Sequence, residues 1–186
     1  IKRQAEDALM SIVSGDEHAS LRKLALEAVG FSSRAEVETL IHSALNRSDP
    51  TWVASALIAM GRSSDSQWNE QVVSMLLNED PRIRGAAVQA AGELSIEEAR
   101  PIILTMLLDG EDDEDDVIAA GIWSLSRIGG EDVRAFLVNM LDQAGDEDQT
   151  DQTQPDRDGL DPADLFLVND ATQDCRHRRG GKCQHC

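Results

Sequence analysis

Tyrosine is absent from this chain, and phenylalanine and tryptophan contribute three residues each. A core with so few large rings has to be assembled from Ala, Leu, Ile, Val and Met, which suits small helices packed at close range. Cysteine does not occur anywhere before Cys175, and the other two copies, Cys183 and Cys186, follow closely. That argues against a disulfide framework in the body and fits a reducing cytoplasm. No apolar run reaches the roughly 18 residues that a membrane-spanning helix needs. No basic start leads into an apolar stretch of the secretory kind. The GxSxG, P-loop, GxGxxG and HExxH patterns do not occur, so the familiar hydrolase, nucleotide-binding and metalloprotease signatures are missing.

Positive charge is also in short supply. Thirty-five acids face seventeen Lys and Arg, a net charge of −18. A field of that sign repels nucleic acid and anionic membranes and leaves a protein, preferably basic, as the expected partner. The acids are clustered. All but one of the positions from Asp109 to Asp116 are acidic, and 142–174 carries eleven acids and one base, whereas 175–186 has four bases and no acid. Two readings of the acidic blocks stand: solvated loop and tail, or an interaction tail for a basic partner.

What is present is a repeat. Gly30, Gly61 and Gly92 are evenly spaced, each closing an apolar stretch: LALEAVG (24–30), SALIAMG (55–61) and AVQAAGEL (87–94). Asp49-Pro50 and Asp80-Pro81 recur with the same spacing. A fixed period of this length marks stacked helical repeats. The apolar spacing predicts a leading helix over 2–13, first helices over 19–29, 50–60, 81–91 and 116–128, and second helices over 34–46, 66–78, 96–108 and 131–143. Asp49 and Asp80 are expected to cap helices that open with proline, His18 holds the corresponding place in the preceding repeat, and Ser95 with Glu98 reads as a capping box. The three glycines are expected just past their helices, in the left-handed conformation that turns a chain back. In the second helices Leu40, Ile41 and Leu45 align with Val72, Val73, Leu76 and Leu77. The same stripe continues as Ile102, Ile103, Met106 and Leu107, then as Phe136, Leu137, Met140 and Leu141. The fourth copy ends at Gly129, its register shifted by the acidic insertion 109–116.

The helix 2–13 reads as the second helix of a cut repeat, and the chain, which begins at Ile1 inside that pattern, is expected to be N-terminally truncated. Residues 144–186 form a separate, mostly disordered acidic tail, with one apolar island, Leu165 to Val168, that reads as a docked cap, as plain disorder or as a linear motif. Its end gathers Cys175, His177, Cys183 and Cys186. Four such donors can hold tetrahedral zinc; the alternative is a tail without metal. No other cofactor is expected. His42 reads as a surface helix residue, and Trp52, Trp68 and Trp123 as packing or half-exposed residues.

The segment Asp80 to Leu94, DPRIRGAAVQAAGEL, resembles the first helix of a HEAT repeat, in the short form named after the phycobilisome lyases. TWVASALIAMG (51–61), LRKLALEAVG (21–30) and IAAGIWSLSRIG (118–129) are similar, with Gly121 where the motif often has Arg. The resemblance implies an all-α, right-handed solenoid of about four helix pairs plus a leading half repeat over 1–143, first helices convex and second helices concave. It then implies a concave partner face built from Glu38, His42, Glu70, Ser74, Glu98, Thr105, Arg134 and Asn139. Arg22 and Arg84, at equivalent places, are expected to tie neighbouring repeats through Asp or backbone carbonyls. The expected function is a monomeric, cytoplasmic, non-enzymatic scaffold that binds a protein partner. A lyase-like or cofactor-attachment subunit is the alternative; a DNA-binding HEAT protein would need a basic concave face, which this sequence lacks.

Overall fold

A computed structural model describes residues 2–110 and 114–150. Among the described residues there are nine α-helices and no strand: α1 Lys2–Ser14, α2 Ala19–Val29, α3 Ala35–Leu45, α4 Pro50–Ser63, α5 Asn69–Met75, α6 Pro81–Leu94, α7 Arg100–Asp109, α8 Asp115–Ile128 and α9 Glu131–Thr150. Short 3₁₀ turns, Ser66–Trp68 and Glu97–Ala99, lead into α5 and α7. The chain divides into two units, Ile1–Asn139 and Met140–Cys186. The second is described only through the end of α9, and the boundary expected at 143 falls inside that helix. The tail residues 151–186, with Leu165 to Val168 and the Cys/His cluster, lie outside the described residues.

Helix starts follow the local chemistry. The Asp49 carboxylate accepts from the Thr51 amide at 2.9 Å and the Asp80 carboxylate from the Arg82 amide at 3.0 Å, each just before a proline in the first turn. The Thr51 hydroxyl also donates to Asp49 at 2.7 Å and accepts from Lys23 Nζ at 2.6 Å, which ties α4 to α2. Thr51 holds the Asp49 carboxyl below the usual carboxylate range, and the Arg82 side chain does the same for Asp80. Because both folded values are depressed, this stabilisation is present above the ordinary carboxylate pKa of about 4 and fades as pH falls through the folded values. His18 caps α2 in the corresponding place, with Nδ1 accepting from the Ser20 amide at 3.3 Å.

The helices stack in chain order. First helices pack directly on one another, α2 on α4, α4 on α6 and α6 on α8. Each second helix packs chiefly on the first helix of the following pair: α3 on α4, α5 on α6, α7 on α8. The leading helix follows the same rule, α1 on α2, as the second helix of a repeat should. This is the arrangement of a helical solenoid. Its core is aliphatic as the composition requires, with Leu26, Ile41, Leu57, Met60, Leu76, Ile96, Ile103 and Leu125 fully buried.

The repeated glycines serve a different purpose from the one their spacing suggests. Gly30 ends α2 with right-handed backbone angles (φ −52°, ψ −29°), while Gly61 and Gly92 lie inside α4 and α6. All three are points of helix contact. A Cβ on Gly30 would lie 2.6 Å from the Ala59 carbonyl oxygen, on Gly61 2.9 Å from Ala90 Cα, and on Gly92 2.7 Å from Ser124 Cα. Those distances are below any van der Waals contact, so only glycine lets the first helices come this close. The left-handed turns fall later, at Ser64 (φ 54°) and Ser95 (φ 54°). Ser95 therefore closes α6 instead of opening the next helix, and the capping box expected with Glu98 is not formed: Ile96 precedes the turn with no side-chain cap.

Polar ties run between the first helices. The Ser55 hydroxyl donates to Glu27 at 2.7 Å, the Ser124 hydroxyl to the Val88 carbonyl at 2.7 Å, and Arg127 Nε to the Gly92 carbonyl at 3.2 Å. As expected, the two equivalent arginines reach backbone carbonyls. Arg22 donates to Val13 at 2.9 Å and Arg84 to Asn78 at 2.7 Å. In α8, three positions further along than Arg84 is in α6, Gly121 lies against the Leu107 side chain. Trp52 is buried, with the guanidinium groups of Arg47 and Arg22 at 3.9 and 5.4 Å from its ring.

Three outcomes follow. In an ordinary helix interior Gly→Ala stabilises, and Gly85→Ala should do so by about 0.5–1 kcal/mol, since the new methyl meets only Val117 Cγ2 at 3.4 Å. Gly92→Ala should instead destabilise by about 1–3 kcal/mol, as overpacking does; urea unfolding of both variants gives the opposite signs directly. His18→Asp, which installs the cap used at 49 and 80, should stabilise by about 0.5–1 kcal/mol in the same assay.

Candidate protein-binding face

The exposed face of the second helices is set by which residues the packing consumes. Val37, Ile41 and Ala44 of α3 are buried, as are Val72 of α5, Ile103 and Met106 of α7 and Val133 of α9. The opposite sides carry the polar positions. Glu38, His42, Glu70, Ser74, Glu98, Thr105, Arg134 and Asn139 are all exposed.

Four of the eight come together. His42 lies one turn after Glu38, Nε2 to Oε1 3.9 Å, and its ring sits 5.1 Å from the Trp68 ring at 55°. His42, Gln67, Trp68, Glu70, Gln71 and Ser74 line a groove of about 350 Å³ between α3 and α5. A neighbouring cavity of about 270 Å³ shares Gln67 and Trp68 and adds Glu38 and Asp65. Trp68 is buried and forms a packed floor rather than an open stacking surface. On the far rim of this cavity the Arg34 guanidinium donates to the carboxylates of Asp7 and Glu36. Those two bonds raise its pKa further, and the one to Glu36 takes that carboxyl below the usual carboxylate range. The α3–α5 groove thus presents Glu70 and His42 to an incoming group, and the adjoining cavity presents Glu38, with its Arg34 already engaged by two acids.

Thr105 belongs to a second and larger groove. Leu77, Asn78, Glu79, Arg84, Pro101, Ile102, Thr105 and Met106 enclose about 660 Å³ between the end of α5 and α7. Sequence reasoning missed most of these residues, and it put Leu77 in the buried stripe. Leu77 is in fact 73% exposed while Leu76 beside it is fully buried. The α-helix stops at Met75 and the chain turns, so Leu77 leaves the helical phase on which its alignment rested. Early termination of the second helix before the Asp80 cap was the available signal. Glu98 stands ahead of this groove, in the turn leading into α7; Arg134 and Asn139 on α9 line neither groove.

Among the described residues no three His, Cys, Asp or Glu side chains gather as a metal site, and Cys175, His177, Cys183 and Cys186 lie outside them. No helix among the described residues is long and apolar enough to cross a membrane.

Stacked helix pairs with an exposed, grooved second-helix face define a helical-repeat protein, a class whose general use is protein–protein interaction. The particular family follows from comparison with known sequences. The chain belongs to the HEAT-repeat family, whose model matches residues 37–121 and again 69–152, more than half of its length. No curated protein sequence matches it.

Proposed function

We propose that this protein is a non-enzymatic scaffold that binds a basic protein partner along the exposed face of its second helices. The observation that carries the reading is the convergence of His42, Glu70 and Ser74 on the groove between α3 and α5, with Glu38 lining the cavity that adjoins it across Gln67 and Trp68 and with a still larger groove on the same run of helices. The net charge of −18 supports a basic partner, which electrostatic attraction would bring in quickly and hold most strongly at low salt. Absence of cysteine before Cys175 supports a reducing compartment, the cytoplasm.

The test is affinity capture with the wild-type protein and with a Glu38→Lys, Glu70→Lys double variant, whose side chains are exposed and whose folding should be unaffected. At an ionic strength of about 0.05 M, where the Debye length exceeds about 10 Å, a partner retained by the wild type should be lost by the variant. Equal recovery of the same proteins by both, or recovery that does not weaken as salt is raised, would sink the proposal.

A further inference from the structure

The cavity that adjoins the α3–α5 groove is bounded by the turn before α3, by α3 itself and by the turn leading into α5. At about 270 Å³ it falls below the roughly 300–1,000 Å³ of sites that enclose a whole small molecule. It is too small for a helix and has room for one long side chain. Val37, Ile41 and Trp68 are buried in its wall and offer the apolar surface that the methylenes of such a side chain cover.

Its charge is negative once the neighbouring groups are counted. Glu38 and Asp65 are exposed in the wall. The Asp65 carboxylate accepts from the Gln67 amide at 3.0 Å and from Gln67 Nε2 at 2.8 Å, two neutral donors, and Glu38 stands 3.9 Å from His42. The cation in the wall, Arg34, donates to Asp7 and Glu36. Beyond it the next cavity sets Lys2 and Arg3 against Glu6 and Glu36. Lys2, Arg3 and Arg34 are thus matched by Glu6, Asp7 and Glu36, which leaves Glu38 and Asp65 in excess.

A second feature of the wall calls for a hydrogen-bond donor. Ser32 is 8% exposed, and its hydroxyl has no hydrogen-bond partner among the described residues. A buried hydroxyl left in that state is costly, and it can accept from an N–H. An anion in the same space would stand against Glu38 and Asp65, whereas a cationic donor is attracted by both.

We infer that this cavity receives a single arginine side chain of the partner protein. Its guanidinium donates to Glu38, Asp65 and the Ser32 hydroxyl, a spread of acceptors that several planar N–H groups can serve together. Its methylenes lie on Val37, Ile41 and Trp68. A neutral side chain of the same shape leaves both carboxylates without a cation and gains little. The inference rests on the scaffold reading above and adds to it the residue type by which the partner is anchored.

The test uses two short alanine-based peptides, one with a central arginine and the other with citrulline, its neutral isostere. Binding to the whole, ¹⁵N-labelled protein is read from the shifts of its backbone and indole N–H signals. The wild type is compared with Glu38→Gln, Asp65→Asn and with Asp16→Asn, Glu17→Gln. Asp16 and Glu17 are exposed in the turn before α2 and line neither cavity, so the two double variants remove the same charge. Asparagine caps as aspartate does, so Asp65→Asn keeps the bond to the Gln67 amide. The arginine peptide should shift the Trp68 indole and the amides flanking the cavity. Its affinity should fall about fivefold with Glu38→Gln, Asp65→Asn and change less than about twofold with the control. The citrulline peptide should shift nothing there. Equal shifts from the two peptides, equal weakening by the two variants, shifts confined to other parts of the protein, or no shifts with the arginine peptide would overturn the assignment. None of those results touches the capture experiment with Glu38→Lys and Glu70→Lys, which decides the scaffold reading by itself.

Discussion

The structure depends on how closely one first helix can approach the next. Gly30, Gly61 and Gly92 remove the side chain at the point of contact in each junction, so that backbone meets backbone or the small side chains of Ala and Ser. Dispersion attraction falls off steeply with separation, and a helix pair brought this close gains contact along its whole length. The same closeness explains the scarcity of rings: Ala56, Ala59, Ala86, Ala87, Ala90 and Ala91 are all buried in α4 and α6, where a larger residue would hold the helices apart. Ser55 and Ser124 fit the same small spaces and return a hydrogen bond to the neighbouring helix.

This packing separates two tasks. The first helices carry the stack: α4, α6 and α8 make their main contacts with neighbouring first helices, while α2 divides its contacts between α1 and α4. The second helices rest on the following first helix and leave their polar sides in solvent. Substitutions there meet water rather than a neighbour, so the face can be set by what it binds. The grooves arise where successive second helices differ in length. α5 is the shorter, Asn69–Met75 against Arg100–Asp109 for α7, and the chain between them turns at Leu77, so the surface is stepped rather than flat.

Much of the fold was legible in the sequence because its signals are local. Asp before Pro, recurring at the interval of the glycines, marks the starts of α4 and α6, and His18 marks that of α2. The apolar period gives the helices in the right order and pairs. The glycines were legible as a period but not as a cause. A glycine near the end of an apolar run is the usual sign of a left-handed cap. Close helix contact requires the same residue for a reason that depends on a partner in the next repeat, Ala59, Ala90 or Ser124. Ser64 and Ser95 take the cap at a residue type that carries no such signal. Leu77 was misplaced because a helical alignment assumes that the helix continues, and the end of α5 is set by the turn to Asp80. The α5–α7 groove was illegible for the same reason, since it exists only through that turn. Of the proposed face, the individual residues were readable as exposed positions; the gathering of Glu38, His42, Glu70 and Ser74 around Trp68 required the stacking of one repeat on the next.

Close approach of the first helices is the central claim, and a double-mutant cycle between Gly61 and Ala90 tests it most directly. A methyl at residue 61 would meet the Ala90 Cα at 2.9 Å, which glycine keeps, and the Ala90 Cβ at 3.3 Å, which Ala90→Gly removes. If α4 and α6 are limited by contact at this point, the cost of Gly61→Ala should therefore fall in part, without vanishing, when residue 90 is glycine. The coupling free energy should then be on the order of 1 kcal/mol in favour of the double variant. Additive effects, with the alanine costing the same whether residue 90 is Ala or Gly, would contradict the account.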